Sequence, residues 1–104
     1  MNTLRIDTSN NLVTQVELET SKNKFILEEK RLKPGDQNVL GLIKKLLKNQ
    51  RVTLKEITSI EVKNGPGSFT GLRVGVSIAN ALSFALGVPV NQRRQGEVAT
   101  PKYS

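Results

Sequence analysis

The sequence predicts an α/β domain built on a mixed sheet, and three observations predict it. A period of two runs near the start, with Leu4 and Ile6 on one face and then Leu12, Thr14, Val16 and Leu18 alternating against Val13, Gln15, Glu17 and Glu19, the period of half-buried strands. Val39, Leu40, Ile43, Leu46 and Leu47 then fall at helical spacing on one face. A glycine-rich turn, Asn64 to Gly71, leads into a second helical stretch that ends on Gly87.

Taken in order, Thr3 to Asp7 reads as a first strand, and Thr8-Ser9-Asn10-Asn11 has hairpin-turn chemistry. Leu12 to Glu19 is a second strand. Lys24 to Lys30, after the Ser21-Lys22-Asn23 turn, is a third. Pro34-Gly35 breaks the chain, and Asp36 is the expected N-cap of a helix reaching about Asn49. Lys44, Lys45 and Lys48 lie off its apolar face, near the C-terminal end where cations suit the helix dipole. Thr53 to Glu56 has the form of a capping box and opens a short turn. Thr58 to Lys63 alternates with Ile60 and Val62 inward, a fourth strand. A helix from about Thr70 to Leu86, with Gly87 at its C-terminal cap, precedes a short fifth strand at Val88-Pro89-Val90. The order β-β-β-α-β-α-β predicts a mixed five-stranded sheet, antiparallel on one side and parallel on the other, with right-handed crossovers. That is the layout of a ribonuclease-H-like half-domain. Residues 1–90 form the expected domain, and the polar, aperiodic residues 91–104 read as a tail or a severed linker.

Composition narrows the chemistry. The chain has 104 residues, no cysteine and no histidine. The absence of both removes His-dependent triads, zinc hydrolases, cysteine nucleophiles and disulfides. No unbroken apolar run has the length of a membrane span, and Met1 to Arg5 lacks the apolar core of a signal peptide. The net charge of +7 is spread along the chain rather than held in a basic tail. It reads either as attraction to nucleic acid or an acidic partner, or as a solvated surface. Phe25, Phe69, Phe84 and Tyr103 are too few aromatics for a base-stacking platform.

The loop Gly65-Pro66-Gly67-Ser68-Phe69-Thr70-Gly71 carries most of the information. Its glycines permit unusual backbone angles and close approach at a strand-to-helix turn. Ser68 or Thr70 is placed to cap the helix. It is not a Walker phosphate loop, since no Gly-Lys-Ser/Thr follows and Pro66 lacks an amide donor. Phe69 reads either as a core residue folded back or as an anchor for a partner. Arg73 stands in the helix's first turn, where a partner carboxylate would suit it. Gly71, Gly75, Ala79 and Ser83 recur every four residues and form a smooth stripe, beside an apolar one at Val74, Ile78, Leu82 and Ala85. A glycine in a helix costs up to about 1 kcal/mol relative to alanine, so the stripe implies a close approach. Two partners fit it: the protein's own sheet, or a helix of another subunit.

Gly65-Pro66-Gly67-Ser68-Phe69-Thr70-Gly71-Leu72-Arg73-Val74-Gly75 resembles the signature of the TsaB (YeaZ) family, glycoprotease-like proteins of bacterial threonylcarbamoyladenosine synthesis. Ile6-Asp7-Thr8-Ser9, Leu40 to Leu47 and Leu86 to Val90 also resemble that family, so the likeness runs from about Leu4 to Val90. It implies the fold of the actin, sugar kinase and Hsp70 superfamily, of which this chain would be one half. It also implies a non-catalytic scaffold subunit, with no cofactor or metal, for cytoplasmic tRNA threonylcarbamoylation. Such a subunit pairs with a TsaD homologue, meets the ATPase TsaE indirectly, touches tRNA only through the complex, and forms homodimers through the same kind of surface. The candidate partner interface is then Gly65, Pro66, Gly67, Ser68, Phe69, Thr70, Gly71, Arg73, Gly75 and Ala79. Two departures stand out. The family is about twice as long, and its His-Ser-Glu ahead of the first helix is replaced by Gly35-Asp36-Gln37.

The alternative reading is a nucleotide-binding half-domain, with Asp7, at the end of the first strand, as a vestigial nucleotide-site position. A ribonuclease-H-like nuclease would need several carboxylates around two metals, and only Asp7 is offered. A protease would need a base beside Ser68, and the chain has no histidine to serve.

Overall fold

Strand β1 (Thr3–Asn10), strand β2 (Val13–Glu19) and strand β3 (Lys24–Lys30) form the expected meander, followed by helix α1 (Val39–Asn49), a 3-10 turn (Leu54–Glu56), strand β4 (Ser59–Val62) and helix α2 (Phe69–Leu86). The structure, a computed structural model, describes residues 1–31, 38–92 and 100. The sheet runs β3-β2-β1-β4. β1 is antiparallel to β2 and parallel to β4, and β2 is antiparallel to β3. The sheet is therefore mixed as the alternation predicts.

The alternation also sets what is buried. Leu4, Ile6, Val16, Leu18, Ile60 and Val62 turn to one face and join Val39, Leu42, Ile43, Leu46, Leu47, Val76 and Ala79 in one core. Both helices lie on that face, α1 over β2 and β3 and α2 over β1 and β4. On the opposite face, Arg5 donates to Glu61 (2.9 Å) and to Glu17, and pairs with Glu19. These charges come from adjacent strands, the arrangement that stabilises a solvent-facing sheet surface.

Four elements depart from the sequence reading, and one residue of the expected tail with them. β2 starts at Val13, leaving Leu12 outside the strand and 37% exposed. β1 does not stop at Asp7 but continues to Asn10, after a register shift between Asp7 and Asn10. Thr8 continues as strand because its side chain is buried, and the turn moves on to Asn10, whose Oδ1 accepts from Leu12 N at 2.8 Å. α1 is capped by Asn38, whose side chain accepts from Gly41 N at 3.1 Å. Asp36, the expected cap, lies outside the described residues. The buried face is otherwise as expected, but its flank is Leu42 rather than Leu40, which is 47% exposed. The fifth strand is reduced to one bridge, Val90 to Ile60. Pro89 O accepts from Ile60 N and Asn91 N donates to Ile60 O, but Asn91 and Gln92 take positive φ (51° and 62°) and end the extension. Asn91, assigned to the tail by the sequence, is tied to β4 through Val62 N (2.8 Å) and Val62 O (3.1 Å). The remainder of the expected tail, residues 93–99 and 101–104, lies outside the described residues.

The 3-10 turn keeps its predicted cap. The Glu56 carboxylate accepts from Thr53 N at 2.9 Å and from Thr53 Oγ1 at 3.0 Å. These bonds hold the Glu56 carboxyl below its usual range, the Thr53 backbone amide being the larger cause.

Candidate functional site

The glycine loop is shaped by the end of β1. Ser68 N donates to Ser9 O at 2.8 Å, and a side chain at Gly67 would run into the backbone and Cβ of Ser9. Gly65 has φ 136°, a region closed to most other residues. Ser68 is the N-cap, with its side chain accepting from Gly71 N at 3.3 Å. Its hydroxyl thus starts the helix. At the other end, Gly87 adopts the left-handed cap (φ 68°) and the Ser83 hydroxyl donates to Val88 O.

The small-residue stripe of α2 faces inward. Gly71, Gly75, Ala79 and Ser83 are buried, as are Leu72 and Val76. Thr8 Oγ1 donates to Gly71 O at 2.5 Å, and a Cβ at Gly75 would strike that same Thr8 hydroxyl. Of the two partners the stripe allows, the protein's own sheet is the one it meets. Gly71, Gly75 and Ala79 therefore do not present an interface directly. They let α2 sit close to β1, which fixes the direction of its outer side.

That outer side carries Phe69, Thr70 and Arg73, all exposed, with Pro66 and Gly67 exposed in the loop ahead of it. Gly65 and Ser68 are half-buried. Phe69 is 55% exposed and does not fold back into the core. The Arg73 guanidinium lies over its ring, 5.4 Å from the centroid, a cation–π arrangement. Phe69, Thr70, Arg73, Val74 and Ser77 line an open hollow of about 450 Å³. One turn after another, the exposed row runs Phe69, Arg73, Ser77, Ala81 and on to Phe84, which is 85% exposed. Phe84 is the residue that the sequence reading missed. Its signal was the same spacing from Phe69, read along the face opposite the glycines. α2 is also the one described helix long and apolar enough to cross a membrane by length and composition alone. Here it lies on the sheet, its small stripe in the core.

Asp7 stands elsewhere. Its Oδ1 accepts from Ser9 N (2.9 Å) and Ser9 Oγ (2.6 Å), closing a local turn. It lines a hollow of about 220 Å³ with Arg5, Gln15, Glu17 and Lys63, on the face of the sheet opposite the helices. The fold does not bring it to the outer side of α2. Among the described residues, no three His, Cys, Asp or Glu side chains converge to hold a metal ion.

The family model described as "TsaD: tRNA N6-adenosine threonylcarbamoyltransferase" matches residues 33–92. The chain is 37% identical over 89 residues to "tRNA threonylcarbamoyladenosine biosynthesis protein TsaB" of Buchnera aphidicola subsp. Schizaphis graminum, covering 84% of this chain and 41% of that protein. A "tRNA N6-adenosine threonylcarbamoyltransferase" of Bartonella henselae is 52% identical over 48 residues, covering 46% of this chain and 13% of that protein. Among solved structures, YeaZ from Pseudomonas aeruginosa superposes with a TM-score of 0.79 at 30% identity, covering 86% of this chain and 43% of that one. The chain thus spans less than half the length of the TsaB and YeaZ relatives it matches. The shared signature, the mixed sheet with α2 seated on β1, and these matches together show that the chain belongs to the family of this threonylcarbamoyltransferase model, within its TsaB (YeaZ) group.

Proposed function

We propose that the chain is a non-catalytic scaffold subunit of tRNA threonylcarbamoyladenosine synthesis that pairs with a TsaD-type transferase through the outer side of α2. One observation carries the reading. α2 turns its small residues to the sheet and leaves Phe69, Arg73 and Phe84 outside. Aromatic residues and arginine are enriched in protein interfaces relative to the rest of a protein surface. An exposed row of them on one helix is an anchor set for a partner. The names of the TsaB relatives support the pathway, and with the likeness to the transferase model they fit a TsaD-associated complex. The scaffold role is supported by the chemistry of the loop: Ser68, its one hydroxyl at a cap, is used to start the helix, and the chain has no histidine to activate it. TsaE and tRNA are then met through the transferase, in the cytoplasm where tRNA is modified.

Size-exclusion chromatography with light scattering, on the chain mixed with a TsaD homologue, tests the reading. A joint peak is expected. Phe84→Ser and Arg73→Glu should weaken it at least tenfold, about 1.4 kcal/mol or more, without loss of helicity. Separate elution of the unaltered chain, or a complex indifferent to both variants, would sink the proposal.

A further inference from the structure

The sheet has a second exposed feature, at the end away from α2. β3 is the edge strand, and no described residue pairs with its outer side. Which of its backbone groups are open follows from the ends of the β2–β3 ladder. Thr20 N donates to Asn23 O, and Arg31 N donates to Leu12 O. Hydrogen-bonded pairs alternate in an antiparallel ladder. The bonds to β2 therefore fall on Phe25, Leu27 and Glu29, which oppose Leu18, Val16 and Thr14. Lys24, Ile26, Glu28 and Lys30 turn their N–H and C=O groups to the open side. Their side chains stand on the face of the sheet that the helices leave bare, and Ile26 is 54% exposed there.

We propose that β3 is a self-pairing edge, at which two copies of the chain join antiparallel about a two-fold axis through Ile26 and extend one sheet into the other. The residues select this register. With the axis at Ile26, Ile26 opposes its own copy, Phe25 opposes Leu27, and Lys24 opposes Glu28. Opposite charges and apolar pairs directly across strands are each stabilising. With the axis moved to Leu27, Lys24 opposes Lys30 and Ile26 opposes Glu28. With the axis at Phe25, Lys24 opposes Ile26 and Glu28 passes the end of the partner's β3; with the axis at Ile26 it is Lys30 that does so, and the Lys24–Glu28 pairs are kept. Charges on an edge ordinarily repel a strand that would add to it. Here they match with the axis at Ile26, meet like charge with the axis at Leu27, and find no opposite charge within β3 with the axis at Phe25. The contact lies on the opposite side of the sheet from α2, so it stands independently of the transferase pairing and leaves α2 open.

Sedimentation equilibrium over a range of protein concentrations tests it, with the unaltered chain, Lys24→Glu, Glu28→Lys and the double variant. All of these positions are exposed, and circular dichroism checks that each variant is folded. A concentration-dependent dimer is expected. Each single reversal meets a like charge at both symmetric positions and should raise its dissociation constant about tenfold, the equivalent of 1.4 kcal/mol. The double variant restores the opposite-charge pairs and should return to the original value. A second measurement uses the absence of cysteine from the chain. Hydrogen-bonded antiparallel partners lie about 5.5 Å apart at Cα, within disulfide reach, so Ile26→Cys should give a covalent dimer on mild oxidation. A chain that stays monomeric throughout, a dimer unmoved by the single reversals, a double variant that fails to recover, or a dimer broken by Phe84→Ser instead would each overturn the proposal.

Discussion

The two helices cover the same face of one sheet and are seated on it in opposite ways. α1 turns large aliphatic residues inward, Val39, Leu42, Ile43, Leu46 and Leu47, and puts Lys44, Lys45 and Lys48 outside. α2 turns Gly71, Gly75, Ala79 and Ser83 inward and leaves Phe69 and Phe84 in solvent. α1 is an ordinary amphipathic helix whose position rests on apolar burial. α2 is held by close backbone approach, one hydroxyl contact, two well-made caps and the burial of Leu72 and Val76 beside its small stripe. The lesson is that a helix with its aromatic residues on the outside is brought close to the sheet by its small ones. Its outer face is then available for another task.

Each helix contains a glycine that tests this contrast, and the larger effect belongs to α2. Gly75→Ala puts a methyl group into the Thr8 hydroxyl. Overfilling a packed contact costs about 1–3 kcal/mol, and thermal or urea unfolding should show a loss of that size. Gly41→Ala in α1 meets only the Asn38 side chain, which can swing away. The lost cap and the gain in helix propensity are each about 1 kcal/mol and opposed, so little change is expected. Equal losses at both glycines would erase the distinction between the two helices.

Next in size is Thr8→Val, which keeps the shape but removes the bond to Gly71 O. A net loss near 1 kcal/mol is expected in the same unfolding measurement. The smallest effect should come from acid, on the face that neither helix covers. The bond from Arg5 holds the Glu19 carboxyl below its ordinary value of 4.5. A depressed carboxylate stabilises the fold above that ordinary value and loses its contribution as pH falls through the lower folded one. Unfolding midpoints should therefore decline slightly below pH 4.5. Arg5→Gln should remove that part of the decline while leaving the difference between Gly75→Ala and Gly41→Ala intact.

Much of this was legible in the sequence because it depends on local pattern. The alternation of Val16 and Leu18 with Glu17 and Glu19 marks a strand with one dry face, and Gly87 marks a helix end, wherever they occur. The extent of β1 was not legible. Thr8-Ser9-Asn10 has turn chemistry, and contacts distant in sequence, to the Gly71 carbonyl and the Gly67–Ser68 backbone, help keep it extended beside β2. The cap of α1 is Asn38 rather than the expected Asp36, and Leu40 and Leu42 flank the apolar stripe on either side, so only the packing against β2 and β3 decides that Leu42 is the buried one. At the candidate site, the pattern contained the small stripe and its spacing. It did not contain what the stripe meets, because a helix and a sheet both accept a smooth surface. Once β1 is known to occupy it, the candidate interface moves to the opposite side of α2, and Phe84 joins Phe69 and Arg73.

Asn91 has a consequence for how many neighbours the sheet can accept. A sheet with two bare edges can join others indefinitely, into fibres rather than pairs. Here the Asn91 carboxamide engages both Val62 N and Val62 O, while the Val90 bridge takes Ile60. A side chain and a single residue thus stand in for a strand along β4. That covers the rim at Ile60 and Val62, so the pairing proposed at β3 would end with one partner there rather than propagate.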